Sequence, residues 1–186
     1  MLEGAIIGVV RGRAEFGPRA LGHRSLLAAA TDRGMLDRLN RLKHRQWYRP
    51  VAPMIRREDA ARCFGALWDA VDDQGGLLLD SPYMSFAAPL TPWCIEKFPA
   101  IAHFDGTARP QTVTPNQEPW LHSLLSLIAV ESEAGVLINT SFNVRGKPIL
   151  NALAEALRLL DDPVGGLDFV VIDDFMFSRP GQTPPP

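Results

Sequence analysis

Apolar and polar positions along the chain change period several times, and each change marks an element. Ala5–Val10 is a short, β-branched apolar run between Gly4 and Gly12, the pattern of a buried strand. Arg24–Ala30, RSLLAAA, suits a second strand, although its alanines suit a helix equally well. From Asp32, an apt N-cap, Met35, Leu36, Leu39 and Leu42 recur at helical spacing. Pro50 and Pro53 stop that helix and bracket PVAPMIRR, an extended segment. Asp59–Phe64 reads as a short helix, and the Gly- and Asp-rich residues 65–80 as a loop. Alternation predicts a strand in SPYMSFAAPL, Ser81–Leu90, and another in Ala108–Pro115. Glu118–Gly135 carries the clearest helix, with Pro119 in its first turn and Gly135 as its stop. Val136–Ser141 is a buried strand running into a polar turn, Asn151–Leu160 a helix, and Leu167–Phe177 one or two closing strands. Strands and helices alternate without internal repeat or linker, which predicts one mixed α/β (α+β) domain. The last residues, SRPGQTPPP, predict a disordered Pro-rich end.

Composition adds limits rather than detail. A chain of 186 residues, 46% hydrophobic, can bury a core without disulfide or metal staples. Cys63 and Cys94 match no metal spacing and read as reduced packing residues. No apolar run reaches membrane-spanning length. The start, MLEGAIIGVVRGR, has an acid at Glu3 and only about six apolar residues in a row, too few for a secretory segment. The expectation is a cytoplasmic protein. Lys plus Arg number 19 against 21 Asp plus Glu, a net charge of −2, and no aromatic stacking set is legible, so nucleic acid is not the expected partner. Any anion site has to be local.

Four segments carry chemistry beyond what a surface turn needs. GRAEFGPRALGHRS puts Arg13, Arg19 and Arg24 among three glycines and a proline; Gly17 and Pro18 force a turn that would hold Arg19 stiffly, with a plain Arg19–Glu15 pair as the alternative. LKHRQWYRPVAP gathers Lys43, His44, Arg45 and Arg49 around Trp47 and Tyr48. Arg38, Arg41 and Arg45 read as a solvated helix face, whereas Arg49 stands before Pro50, where the chain leaves the helix. HFDGTARPQTV has an Asp105-Gly106-Thr107 turn, with Arg109 opening a strand. VLINTSFNVRGKP ends a strand in Asn139, Thr140, Ser141, Asn143 and Arg145, a polar bend suited to phosphate oxygens or a carbonyl. Two like charges about 4 Å apart repel by roughly 4 kcal/mol at an effective dielectric near 20. Gathering Arg19, Lys43, Arg49, Arg109 and Arg145 therefore asks for an anion, and each charged hydrogen bond to a phosphate returns about 1.5–3 kcal/mol.

In this order, GRAEFGPRALGHRS, RLNRLKHRQWYRPVAP, SPYM, HFDGTARPQTV and NTSFNVRGKPI resemble the C-terminal domain of the O-carbamoyltransferase family, which includes the nodulation-factor and antibiotic carbamoyltransferases. The resemblance covers about residues 5–178. It implies a YrdC-like fold, a twisted open mixed sheet with flanking helices and a basic concave face, over residues 1–178, with 179–186 as the tail. It implies formation of carbamoyl adenylate from carbamoyl phosphate and ATP, Mg²⁺ being held through the phosphates and no metal ligand coming from this chain. Arg19, Lys43, Arg49 and Arg109 are then the phosphate ligands and the catalytic set, and Asn139, Ser141, Asn143 and Arg145 the loop that closes on the adenylate. A separate N-terminal, actin-like, metal-binding domain or subunit would pass the carbamoyl group to an acceptor hydroxyl. His23, Lys147 and the helix start NALAEAL depart from the family pattern, with Asn151 as the expected cap. Two other classes stand beside this reading: a non-catalytic module that binds ATP or carbamoyl phosphate or docks on a transferase subunit, and an RNA-binding domain.

Overall fold

A computed structural model describes residues 1–144, 146–162 and 166–182. In chain order the elements are β1 (Ile7–Val10), β2 (Arg24–Ala29), α1 (Gly34–Leu42), β3 (Ala52–Arg56), α2 (Ala60–Phe64), β4 (Ala88–Pro89), α3 (Pro92–Lys97), β5 (Thr107–Ala108), β6 (Gln111–Val113), α4 (Pro119–Ser132), β7 (Val136–Ser141), α5 (Leu153–Asp161), β8 (Phe169–Ile172) and β9 (Phe175–Ser178). The mixed α/β class expected from the alternation is the class observed. RSLLAAA is a strand: all six residues of β2 are buried and paired antiparallel to β1, and this pairing overrides alanine's helical preference.

Four details differ from the sequence pattern. Only Ala88–Pro89 of the expected strand Ser81–Leu90 is extended into a pair; Met84 takes a left-handed φ of 55°, which no ladder tolerates. Helix α4 stops at Ser132, with Glu133 left-handed at φ 67°, and Gly135 has a packing duty instead: a Cβ there would lie 2.6 Å from the Leu125 carbonyl oxygen. Helix α5 begins one residue beyond Ala152, and the carboxylate of Glu155 reaches back to the amides of Asn151 and Ala152, so Asn151 is not the cap. A helix the pattern did not suggest, α3, starts on Pro92 after Thr91, whose hydroxyl accepts from the Cys94 amide at 3.2 Å.

The residues form two compact units. The first comprises Met1–Ala29, Gly34–Arg49 and Asn139–Pro186. Its strands run in the order β7, β2, β1, β8, β9, with β1 parallel to β8 and β8 antiparallel to β9. Arg38 of α1 pairs with Asp168, which also accepts the Ile6 amide, so helix and strand are fixed by one carboxylate. Gly8 has a specific role: a Cβ built on it would meet the Phe142 ring at 2.4 Å. Phe142 is wholly buried and follows β7 directly. Its amide donates to the Arg24 carbonyl, and its own carbonyl accepts from Leu150.

The second unit comprises Ala30–Arg33 and Pro50–Ile138. Its strand order is β6, β3, β7, with β3 parallel to β6, and α4 packs on β3. Four of its cations are tied to acids or carbonyls. Arg56 makes a two-pronged bond to Asp59, and Asp59 also takes the Gly135 amide. Arg57, buried, donates to the Trp68 and Leu79 carbonyls beside Asp80. Arg62 lies 3.7 Å from the Trp93 ring centre and bonds to Glu133, which also receives Lys97. Cys63 and Cys94 are free and buried; the neighbouring Cys94 thiol and burial push the Cys63 thiol up, as expected of packing residues.

Candidate functional site

The first unit concentrates its chemistry where α1 ends. Helix α1 closes in a Schellman motif: the His44 amide donates to the Arg41 carbonyl and the Arg45 amide to the Asn40 carbonyl. His44 occupies the left-handed position at φ 50°, a place normally given to glycine. This reversal turns Lys43 inward. Its ammonium donates to the Ser141 carbonyl, to Ser141 Oγ at 3.1 Å and to Asn143 Oδ1 at 2.8 Å. The polar bend after β7 is thereby closed on itself. Ser141 Oγ donates to Asn143 Oδ1, and the Asn143 amide donates to the Lys147 carbonyl at 2.7 Å.

Asn40 organises the other half. It is buried to 2% exposure on the apolar face of α1, and its amide donates to the Trp47 carbonyl at 2.8 Å and the Arg49 carbonyl at 3.1 Å. Its Oδ1 accepts from Arg45 Nε. Arg45 is therefore half-buried and held, not a solvated helix residue as its place in the run suggests. Its Nη2 is buried with no partner among the described residues. Lys43, Arg45 and Arg49 feel one another electrostatically, and none meets a carboxylate among the described residues. Burial, then Arg45 and Arg49, hold the Lys43 ammonium well below its ordinary value, at about 7. Burial and Arg49 bring the Arg45 guanidinium down to about 10. The folded chain carries an unfavourable concentration of positive charge here, which a bound anion relieves.

An open cleft of about 490 Å³ adjoins the bend, lined by Glu15, Gly17 and Pro18 on one wall and Ser141, Asn143 and Pro148 among the other lining residues. Glu15 shapes the first wall. Its Oε1 accepts from the amides of Leu21 at 2.6 Å, His23 at 2.7 Å and Arg24 at 3.3 Å. The alternative pairing of Glu15 with Arg19 is thus not made; Arg19 is exposed, with no hydrogen bond or ion pair among the described residues. Arg24 is spent on structure, its guanidinium donating to the carbonyls of Arg11, His23 and Gly12. The Asn139 amide donates to the Ala20 carbonyl and fastens the same loop to β7.

Of the site residues expected from sequence, the first unit brings together Lys43, Arg49, Ser141 and Asn143, with Arg19 and Asn139 on the neighbouring loop and strand. Arg145 lies outside the described residues. Arg109 belongs to the second unit, half-buried between β5 and β6 rather than opening a strand. It acts on His103, whose pKa burial and Arg109 lower against the pull of Asp105. Asp105 makes the expected turn, accepting from the amide and hydroxyl of Thr107. Sequence reasoning missed Arg45 and Asn40; a lone amide on the apolar face of α1, five residues before Arg45, was the available signal. Exposed Trp47 and Tyr48 correct the expectation that no aromatic set is presented. Among the described residues no group of three or more His, Cys, Asp or Glu could hold a metal ion, and no helix is long and apolar enough to cross a membrane.

The family model "Carbamoyltransferase C-terminus" matches residues 1–179. The chain belongs to that family. This carbamoyltransferase C-terminal chain is 40% identical over 158 residues to 3′-hydroxymethylcephem-O-carbamoyltransferase of Streptomyces clavuligerus, a match covering 85% of the chain and 28% of that protein. It is 35% identical over 185 residues to the nodulation protein NolNO of Sinorhizobium fredii, covering 98% and 25%. The chain spans less than a third of the length of these relatives, which carry further sequence beyond the matched part. Among solved structures, full-length HypF in its phosphate- and nucleotide-bound form matches 92% of the chain and 19% of its own, with a TM-score of 0.60 at 22% identity. That likeness shows the fold, in agreement with the YrdC-like α/β class expected above.

Proposed function

We propose that the chain is the carbamoyl-adenylate-forming part of an O-carbamoyltransferase, using carbamoyl phosphate and ATP. The observation that carries the reading is the cluster of Lys43, Arg45 and Arg49, held by Asn40, Ser141 and Asn143 with no carboxylate among the described residues to neutralise it. Phosphate suits this set: exposed Arg49 and part-buried Arg45 offer forked donors, and Lys43 a point charge already anchored to the bend. Arg19, an exposed cation of the same unit, is the further ligand proposed with them.

The chemistry needs positioning and charge neutralisation more than covalent help. Water takes the phosphoryl group of carbamoyl phosphate, leaving carbamate and inorganic phosphate. A carbamate oxygen then attacks the α-phosphorus of ATP; the new P–O bond forms as the α–β bridging P–O bond breaks, and pyrophosphate leaves with the electron pair. The attacking oxygen is already anionic, so no general base is required. The guanidiniums stabilise charge growing on the α-phosphate and leaving group; Mg²⁺ entering with the nucleotide would supply further charge neutralisation. Transfer to an acceptor hydroxyl is assigned to an N-terminal domain within the additional length of the relatives, or to a separate subunit.

The test is pyrophosphate release on mixing the chain with ATP, Mg²⁺ and carbamoyl phosphate. Release that depends on all three and is lost in Arg49→Ala is expected. Tight ATP binding without release would instead make the chain a binding module.

A further inference from the structure

We infer that Trp47 and Tyr48 form the platform on which the base of a bound purine nucleotide stacks. The inference rests on the proposed nucleotide site and adds to it the group that selects a nucleotide over bare phosphate. The two rings are 77% and 65% exposed, their centres 5.8 Å apart and their planes at 86°. Such a right-angled pair leaves an open ring face that a flat heterocycle can cover. Mobile loop residues gain little from stacking, because ordering them offsets the contact. The backbone that carries these two is already held: the buried Asn40 amide donates to the Trp47 carbonyl and the Arg49 carbonyl, bracketing Tyr48 from both sides.

The same amide side chain accepts from Arg45, so one residue holds both the backbone under the rings and a phosphate donor. Other exposed rings lack this setting. Phe104 stands alone at the Asp105 turn of the second unit. Phe16 projects from the loop beside the cleft with no ring contact among the described residues.

The experiment compares affinity for ATP and for inorganic tripolyphosphate by calorimetry, in the unaltered chain and in Trp47→Ala, Tyr48→Ala, Trp47→Phe, Phe16→Ala and Arg49→Ala. The unaltered chain is expected to prefer ATP. Loss of one platform ring should weaken ATP by roughly tenfold, within the range for base–aromatic stacking, and leave tripolyphosphate unchanged. Trp47→Phe should keep most of the preference, and Arg49→Ala should weaken both ligands alike. A preference for ATP that survives both Trp47→Ala and Tyr48→Ala, or one lost only in Phe16→Ala, overturns the platform while leaving the phosphate site standing. If the unaltered chain binds neither ligand, the phosphate reading itself falls and the platform with it.

Discussion

The cations gathered at the end of α1 and four cations of the second unit are treated in opposite ways. In the second unit Arg56, Arg57, Arg62 and Lys97 each lie against a carboxylate, and Arg57 also fills two buried carbonyls. At the end of α1 in the first unit, Lys43, Arg45 and Arg49 are gathered by neutral amides, a hydroxyl and carbonyls, with no acid among the described residues. Paired charge of the first kind closes a structure. Unpaired charge of the second kind marks a candidate anion site. The acidic balance of the whole sequence hides this local excess.

The largest effect should come from breaking the paired side. Arg57→Ala strands the Trp68 and Leu79 carbonyls and removes the guanidinium beside Asp80. It should cost about 3 kcal/mol in denaturant unfolding and leave ATP affinity intact below the melting transition. The unpaired side should answer the other way. Arg49→Ala should lower ATP affinity and pyrophosphate release about 100-fold without lowering the melting temperature, because two charged hydrogen bonds to the ligand are lost while like-charge repulsion on Lys43 and Arg45 is relieved. A fall in stability there would erase the contrast.

A pH series sharpens the comparison further. Lys43 titrates near 7 in the folded chain against an ordinary 10.5, so between those values the unfolded chain holds a proton that the folded one has released. Stability should therefore rise with pH across that window, and saturating phosphate, which keeps Lys43 charged, should flatten the rise. Phosphate affinity should fall as pH climbs through about 7. Melting temperatures at several pH values, with and without phosphate, check both signs. The smallest effect is expected from His44→Gly, which removes the left-handed strain at the end of α1. It should stabilise by about 0.5–1 kcal/mol, since glycine's own entropy cost offsets part of the relief.

Periodic elements were legible in the sequence and irregular ones were not. The strand Ala5–Val10, helix α1 and the Val136–Ser141 strand followed from apolar spacing alone. Ser81–Leu90 misled because alternation of residue types says nothing about the left-handed turn at Met84. Lys43, Arg49, Ser141 and Asn143 were readable as candidates because proline, glycine and strand ends punctuate the segments that carry them. Arg45 was misread because a helical wheel assumes the helix continues, whereas the reversal at His44 swings the next residue back against Asn40. The structural duty of Arg24 had no sequence sign, because the three carbonyls that it serves come together only in the fold.

Phe142 lies against β1 only because residue 8 has no side chain. The bend that carries Ser141 and Asn143 is therefore seated by an absent methyl group in a strand near the opposite terminus. Moving that bend into another scaffold means carrying a notch of matching shape along with it. A random-mutagenesis screen for lost activity should recover substitutions at Gly8, remote from every phosphate.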